Sequence, residues 1–295
     1  MPRKQKASDS ESKRTSRERS VRLVFTADLH GNVALYRATG EAAREWDADV
    51  LVFGGDLCSG KLPGAGVRIP QAQVEFLQCE VASLLESWKG AQPSLRVLVI
   101  PGNDDFRSIE PVLDDLQGRG LLENLHRRAI AINGYTFIGL GYVPATPLSR
   151  VDFERRDLTA GSPDDASPSP LSGFFEAYPS IEEELDRLDG LVATDLQSIV
   201  GVMHCPPHGT KCDMNRQGQH VGGQAVRRWI ERRQPLLTLH GHAHASPSVS
   251  GSFADRIRAT WVVNPGADSD SPQLVFFELP DARRMRHSRY GPLSV

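Results

Sequence analysis

Short apolar runs alternate with longer stretches of helical spacing along the first 120 residues. Residues 21–26, 50–53 and 95–100 are compact apolar runs bounded by polar or turn residues, the pattern of buried strands. Residues 33–46 carry apolar positions at helical spacing, with Asn32 placed to cap the first turn. Helices are also predicted over 71–88 and 108–117. The order βαβαβα predicts a largely parallel sheet with helices on its faces. The rhythm then changes. Runs at 129–132 and 135–140 flank Asn133-Gly134, the dipeptide best suited to a two-residue hairpin turn. Further strands are predicted at 198–203, 236–240, 260–263 and 274–279, and helices at 181–191 and 222–232. Residues 144–172, rich in Pro, Ser and Asp, read as a long surface excursion. There is no internal repeat and no linker between two cores. One domain over 21–280 is expected, with 1–20 a disordered tail and 281–295 a C-terminal extension.

Composition narrows this picture. The chain has 295 residues, 39% hydrophobic and 24% charged, which excludes collagen, a coiled coil and wholesale disorder. No apolar run approaches the ~18 residues that a spanning helix needs. The formal net charge of −3 argues against a surface built to coat nucleic acid. That charge is uneven: residues 1–20 are net +4 and nearly devoid of apolar side chains, so they cannot offset the entropy of folding. A contact of this tail with nucleic acid or an acidic protein surface is the sharper alternative to a merely solvated arm. The apolar stretch after the tail contains Arg22 and runs straight into Asp28 and His30, unlike a signal peptide, so a cytoplasmic location is expected. Cys58, Cys79, Cys205 and Cys212 form no C-x-x-C pair and are expected to be reduced.

The chemistry stands just after the strands. Asp28 and His30 follow the first, and Gly54-Gly55-Asp56 the second. Gly102-Asn103-Asp104-Asp105 follow the third. His204 ends the strand at 198–203, and His240, Gly241, His242 and His244 follow the run at 236–239. Strand ends of parallel α/β sheets converge on one crevice. Residues two apart in an extended segment share a side, so Asp28 with His30 and His242 with His244 can each chelate an ion. Carboxylate, imidazole and amide oxygen together suit zinc, manganese, iron or nickel. Seven such donors exceed one tetrahedral ion and suit two ions sharing a carboxylate.

The run Asp28-Leu29-His30, Gly55-Asp56, Gly102-Asn103-Asp104-Asp105, His204 and Gly241-His242-Ala243-His244 resembles the calcineurin-like metallophosphoesterase superfamily over roughly residues 21–280. His204-Cys205-Pro206-Pro207-His208-Gly209-Thr210, His220-Val221-Gly222-Gly223 and Asn264-Pro265-Gly266 are similar to further segments of that group. The resemblance implies a four-layered α/β/β/α sandwich with two mixed sheets. It implies one ion on Asp28, His30, Asp56 and His244, and a second on Asp56, Asn103, His204 and His242. It implies a hydroxide between the ions as nucleophile, and manganese as the ion expected to support activity. One position departs: the family's G-N-H-[DE] histidine, which contacts phosphate and protonates the leaving group, is here Asp104. A carboxylate beside two dications is favoured in its charged form. It cannot donate a proton, and it repels a dianionic monoester more than a monoanionic diester. The expected substrate is therefore a small-molecule or nucleotide phosphodiester. A phosphomonoesterase or protein phosphatase, and a metal-binding scaffold without catalysis, remain the alternatives. Asp104, His208 and His220 are the candidate catalytic residues. Asn32 is a candidate pocket residue, His240 a candidate support behind the ligands, and Arg107 a candidate phosphate contact.

Overall fold

The computed structural model describes residues 20–61, 68–146, 152–160, 177–192 and 198–293. β1 (Val21–Thr26), β2 (Val50–Gly54) and β3 (Arg96–Ile100) lie side by side in parallel. The connection from β1 to β2 is α1 (Val33–Glu45), whose first turn is capped as expected: Asn32 Oδ1 accepts from Ala34 N at 3.0 Å and Leu35 N at 3.4 Å. From β2 to β3 the chain runs through α2 (Ile69–Phe76), a π turn at Leu77–Val81 and α3 (Ala82–Ala91), one continuous helix longer than expected. A 3₁₀ turn, Arg107–Ile109, opens α4 (Glu110–Gly118).

The short β4 (Glu123–Asn124) joins β3 in parallel, while β13 (Val275–Leu279) pairs antiparallel with β1, Val21 opposite Leu279 and Phe25 opposite Val275. Beyond it lie β14 (Arg286–His287) and β15 (Gly291–Pro292), giving a mixed sheet of order β15-β14-β13-β1-β2-β3-β4. The residues after 280, set apart as an extension by the sequence, thus supply one edge of this sheet.

The second sheet contains β5 (Ala129–Ile132), β6 (Tyr135–Leu140), β9 (Ile199–Met203), β10 (Leu237–Leu239), β11 (Ala254–Ile257) and β12 (Thr260–Val263), in the order β11-β12-β10-β9-β6-β5. β5 and β6 form the expected hairpin, with Asn133 and Gly134 at φ 47° and 84°. β6, β9, β10 and β12 are parallel neighbours.

Alternation along the strands decides the layers. Leu23, Phe25, Val52 and Phe277 of one sheet meet Phe137, Val202, Leu239 and Val263 of the other in the central core. Val24, Leu51, Phe53 and Val99 face outward under Tyr36, Leu85 and Leu113 of the first helical layer. On the far side Ile138, Ile199 and Val262 pack beneath α5 (Ile181–Gly190) and α6 (Gln224–Arg233) through Leu185, Leu188, Trp229 and Ile230. The result is the four-layered α/β/β/α sandwich.

The expected surface excursion at 144–172 needs correction where it is described; 147–151 and 161–176 lie outside the described residues, as do 1–19. β8 (Glu154–Arg155) pairs in parallel with β7 (Val143–Pro144), and Phe153, Glu154, Arg155 and Leu158 are buried. The Arg155 charge is accommodated between the rings of Tyr142 and Tyr178, at 4.3 and 4.6 Å, and by the carbonyl of Asp152 at 3.1 Å. Polar composition pointed outward because it does not show that the Arg155 charge finds partners in the fold. Among the described residues no helix is long and apolar enough to cross a membrane.

Candidate metal centre

The loops after β1, β2, β3, β9 and β10 meet at one end of the sandwich. Asp28, His30, Asp56 and His244 each place one donor atom within 4.8 Å of the others. His30 Nε2 and His244 Nε2 face each other at 3.2 Å. Asp28 Oδ1 stands 3.4 Å from His244 Nε2, and Asp56 Oδ2 stands 3.8 Å from His30 Nε2. A second group closes on the other side of the same carboxylate. Asp56 Oδ1 is 3.5 Å from His204 Nε2, and Asn103 Oδ1 lies 3.2 Å from His204 Nε2 and 2.7 Å from His242 Nδ1. Donor atoms around a cation at ~2.1 Å stand roughly 3–3.5 Å apart, so this set fits two divalent ions sharing Asp56. All seven ligands expected from the sequence are brought together.

The hydrogen bonds behind the ligands decide which nitrogen faces inward. His204 Nδ1 lies 2.8 Å from the Gly54 carbonyl, which can only accept, so Nδ1 carries the proton and Nε2 is the donor atom. His30 Nδ1 lies 3.3 Å from Asp104 Oδ2, which directs its Nε2 inward in the same way. Asp104, the departure from the family pattern, therefore backs a candidate metal ligand, and its backbone N–H donates to Asp56 Oδ1 at 2.7 Å.

The backbone is strained where the ligands are. Among the described residues nine non-glycine positions have positive φ, and four of them are Asp28 (61°), His30 (45°), Asp56 (51°) and His242 (65°). Such conformations cost of order 1 kcal/mol or more and persist only where surrounding structure imposes them. Gly102 is required by proximity: a Cβ there would fall on Asp56 Oδ1 and come within 2.7 Å of His204 Nε2.

Several residues that the sequence reading gave no role hold these loops. The buried Asp105 carboxylate accepts from Leu57 N (3.0 Å), Cys58 N (2.8 Å) and Gly102 N (2.8 Å), tying the loop after β2 to that after β3. Gln73 of α2 donates to Asp104 O at 2.7 Å and accepts from Phe106 N at 2.8 Å. Asn264 Nδ2 reaches Cys212 O at 2.8 Å and Gly241 O at 3.1 Å. Asp105 and Asn264 stand in Gly102-Asn103-Asp104-Asp105 and Asn264-Pro265-Gly266, a local signal; Gln73 has none. His240 Nδ1 lies 2.9 Å from both Met203 O and Cys205 O, so it braces the backbone on either side of His204.

Charges are balanced within the cluster. Burial alone would lower the pKa of His30, but the Asp104 hydrogen bond and the charges of Asp56 and Asp28 raise it to about 9. Burial would likewise lower His204, yet Asp56 and Asp28 raise it to about 9. Burial opposes ionisation of Asp56, and His204 and His30 nevertheless hold it well below the usual carboxylate range. Burial and the His204 charge push His242 down to about 4.

A cavity of about 730 Å³ opens in front of Asp28, His30 and His244, and Asn32, Asp104, Lys61 and Arg216 also line it. Asn32 thus caps α1 and faces the pocket, and its Nδ2 donates to Ser269 O at 3.1 Å. His208 and His220 are brought to each other instead, outside that lining, with ring centroids 5.6 Å apart over the buried Asp213. His220 Nδ1 is 2.8 Å from Asp213 Oδ1 and His208 Nδ1 is 3.9 Å from Oδ2. Arg107 lies 6.0 Å from the Tyr178 ring and does not line the cavity.

The profile of the family described as calcineurin-like phosphoesterase matches residues 21–246. The fold resembles that of TT1561 of Thermus thermophilus (TM-score 0.58, 16% identity, covering 90% of this chain and 97% of that one). It also resembles a dimetal phosphatase from Danio rerio (TM-score 0.52, 13% identity, covering 91% and 95%). No curated protein matches the sequence.

Proposed function

The chain belongs to the calcineurin-like phosphoesterase family, and on that premise we propose that it is a two-metal hydrolase of small-molecule or nucleotide phosphodiesters, working with manganese in the cytoplasm. The observation that carries this reading is the position of Asp56, with one carboxylate oxygen toward His30 and the other toward His204. Two ions held there would supply Lewis acidity toward the phosphoryl oxygens and a water acidified toward neutrality. The protein's own contribution is to aim the donors. Gly54 O and Asp104 Oδ2 set the tautomers of His204 and His30, and Asp105, Gln73 and Asn264 hold the loops that bear the ligands.

The preference for diesters rests on Asp104. Its carboxylate lines the cavity and accepts from His30 Nδ1, so the position offers substrate a negative charge and no proton. That disfavours a dianionic monoester and favours esters whose leaving group needs no protonation. A cytoplasmic setting is supported by the four free cysteines, Cys58, Cys79, Cys205 and Cys212. The test is a substrate panel on manganese-reconstituted protein comparing an aryl diester, an aryl monoester and nucleotides. Hydrolysis of the diester well above the monoester is expected, and a preference for monoesters would overturn the assignment.

A further inference from the structure

The cavity of about 730 Å³ is far larger than the single phosphoryl group that the metal ligands would engage. Two basic side chains line it, Lys61 from the loop after β2 and Arg216 from the segment between β9 and α6. Among the described residues no hydrogen bond or ion pair engages either side-chain cation. Elsewhere the arginines are mostly committed: Arg227 to Glu231 at 2.6 Å, Arg232 to Asp186 at 2.6 Å, and Arg289 to Asp268 at 3.0 Å. That last pair engages one of the cavity's carboxylates, which also include Asp28, Asp104 and Asp270.

The turn that carries Arg216 is built and anchored. Met214 and His220 form an antiparallel bridge. Between them Asn215 Oδ1 accepts from Gln217 N at 2.9 Å and Gln219 N at 3.0 Å. At its base the buried Asp213 accepts from Thr210 N at 2.8 Å and Gly222 N at 3.1 Å. Met214 N donates to Ser246 Oγ at 3.0 Å. Asn264 bonds both Cys212 O and Gly241 O, so the turn shares a bolt with the backbone that bears His242. The backbone that presents this guanidinium needs little ordering when an anion binds, and the planar fork matches a phosphoryl group.

We propose that Lys61 and Arg216 form a subsite for a second phosphoryl group, so that the substrate is a phosphoester whose organic part carries a further phosphate. The inference rests on the phosphoesterase reading above. The test uses a matched pair on the manganese-loaded protein: thymidine 5′-(p-nitrophenyl phosphate) and the same ester bearing a 3′-phosphate. Both break the same bond and release the same p-nitrophenolate. The added phosphate should raise kcat/KM by about tenfold, mainly through KM, as expected for charge-assisted hydrogen bonds. In Arg216→Ala and Lys61→Ala this ratio should fall toward roughly one to three. A wild-type ratio near one, or a ratio unmoved in both variants, overturns the subsite while leaving the phosphoesterase reading intact. If neither ester is hydrolysed, the phosphoesterase reading fails, and calorimetry decides the subsite. Tighter binding of thymidine 3′,5′-bisphosphate than of thymidine 5′-monophosphate, lost in Arg216→Ala, supports it, and equal binding overturns it.

Discussion

Replacing Asp104 by alanine removes the acceptor behind one metal ligand. The contact is 3.3 Å from His30 Nδ1, longer than the best charge-assisted bonds, and the two side chains are 19% and 30% exposed. Loss of such a partner costs 10–100-fold in metal affinity, and the length and partial solvation place this case near the lower end, about tenfold or ~1.4 kcal/mol. The loss should be confined to the ion held by Asp28, His30 and His244. The ion held by Asn103, His204 and His242 has its own tautomer lock at the Gly54 carbonyl. Competition titration of manganese against a fluorescent chelator should therefore show one weakened site and one nearly unchanged. Asp104→Asn keeps an acceptor oxygen for Nδ1–H and should recover most of the loss. Asp104→His should shift the ratio of monoester to diester kcat/KM toward monoesters by up to ~10²-fold, because it removes a negative charge and adds a proton donor. Wild-type affinity at both sites in Asp104→Ala, or equal weakening of both, would refute the positioning role.

Asp56→Asn should lose both ions and activity together, since that carboxylate screens two like charges; elemental analysis giving fewer than one divalent ion per reconstituted wild-type chain would sink the two-ion centre. Metal uptake should expel protons at pH 7, because His30 and His204 titrate near 9 without metal and an imidazole must be neutral to ligate. Affinity should therefore climb as pH rises toward 9, and heats of binding that do not depend on buffer ionisation would contradict this. For the metal-free fold the sign is opposite. Both histidines have folded values above the unfolded ~6.5, so their contribution is full below that pH and is lost as pH rises through about 9. Thermal melts should show the metal-free protein less stable at about pH 9.5 than at about pH 6.5. A chain starting at Ser20 should keep its turnover of small substrates, because residues 1–19 carry no ligand; loss of most turnover would show otherwise.

The strands β1, β2, β3, β6 and β9 and the helix α1 were legible because each is signalled within a few residues, by an apolar run, by a cap such as Asn32, or by a turn such as Asn133-Gly134. The convergence of the seven candidate ligands was legible for a related reason. They follow strand ends directly, so their convergence needs only a sheet of parallel strands, and their residue types suit divalent ions. The burial of Phe153, Glu154 and Arg155 was not legible, since Tyr142 and Tyr178, which flank the Arg155 charge, are distant along the chain. The polar composition of 144–172 pointed the other way.

The sequence by itself determined the local elements, the order in which they alternate, and the chemical identity of the donors at their ends. Tertiary structure alone decided that β13 returns antiparallel beside β1, that Asp104 turns its carboxylate to His30, that Gln73 grips the loop of Asn103, and that Arg216 faces the same cavity as Lys61. The physical reason is range. Periodicity and capping act over one or two turns of backbone, whereas the tautomer of His30 depends on a carboxylate 74 positions away, which only packing of the two loops brings within hydrogen-bond reach.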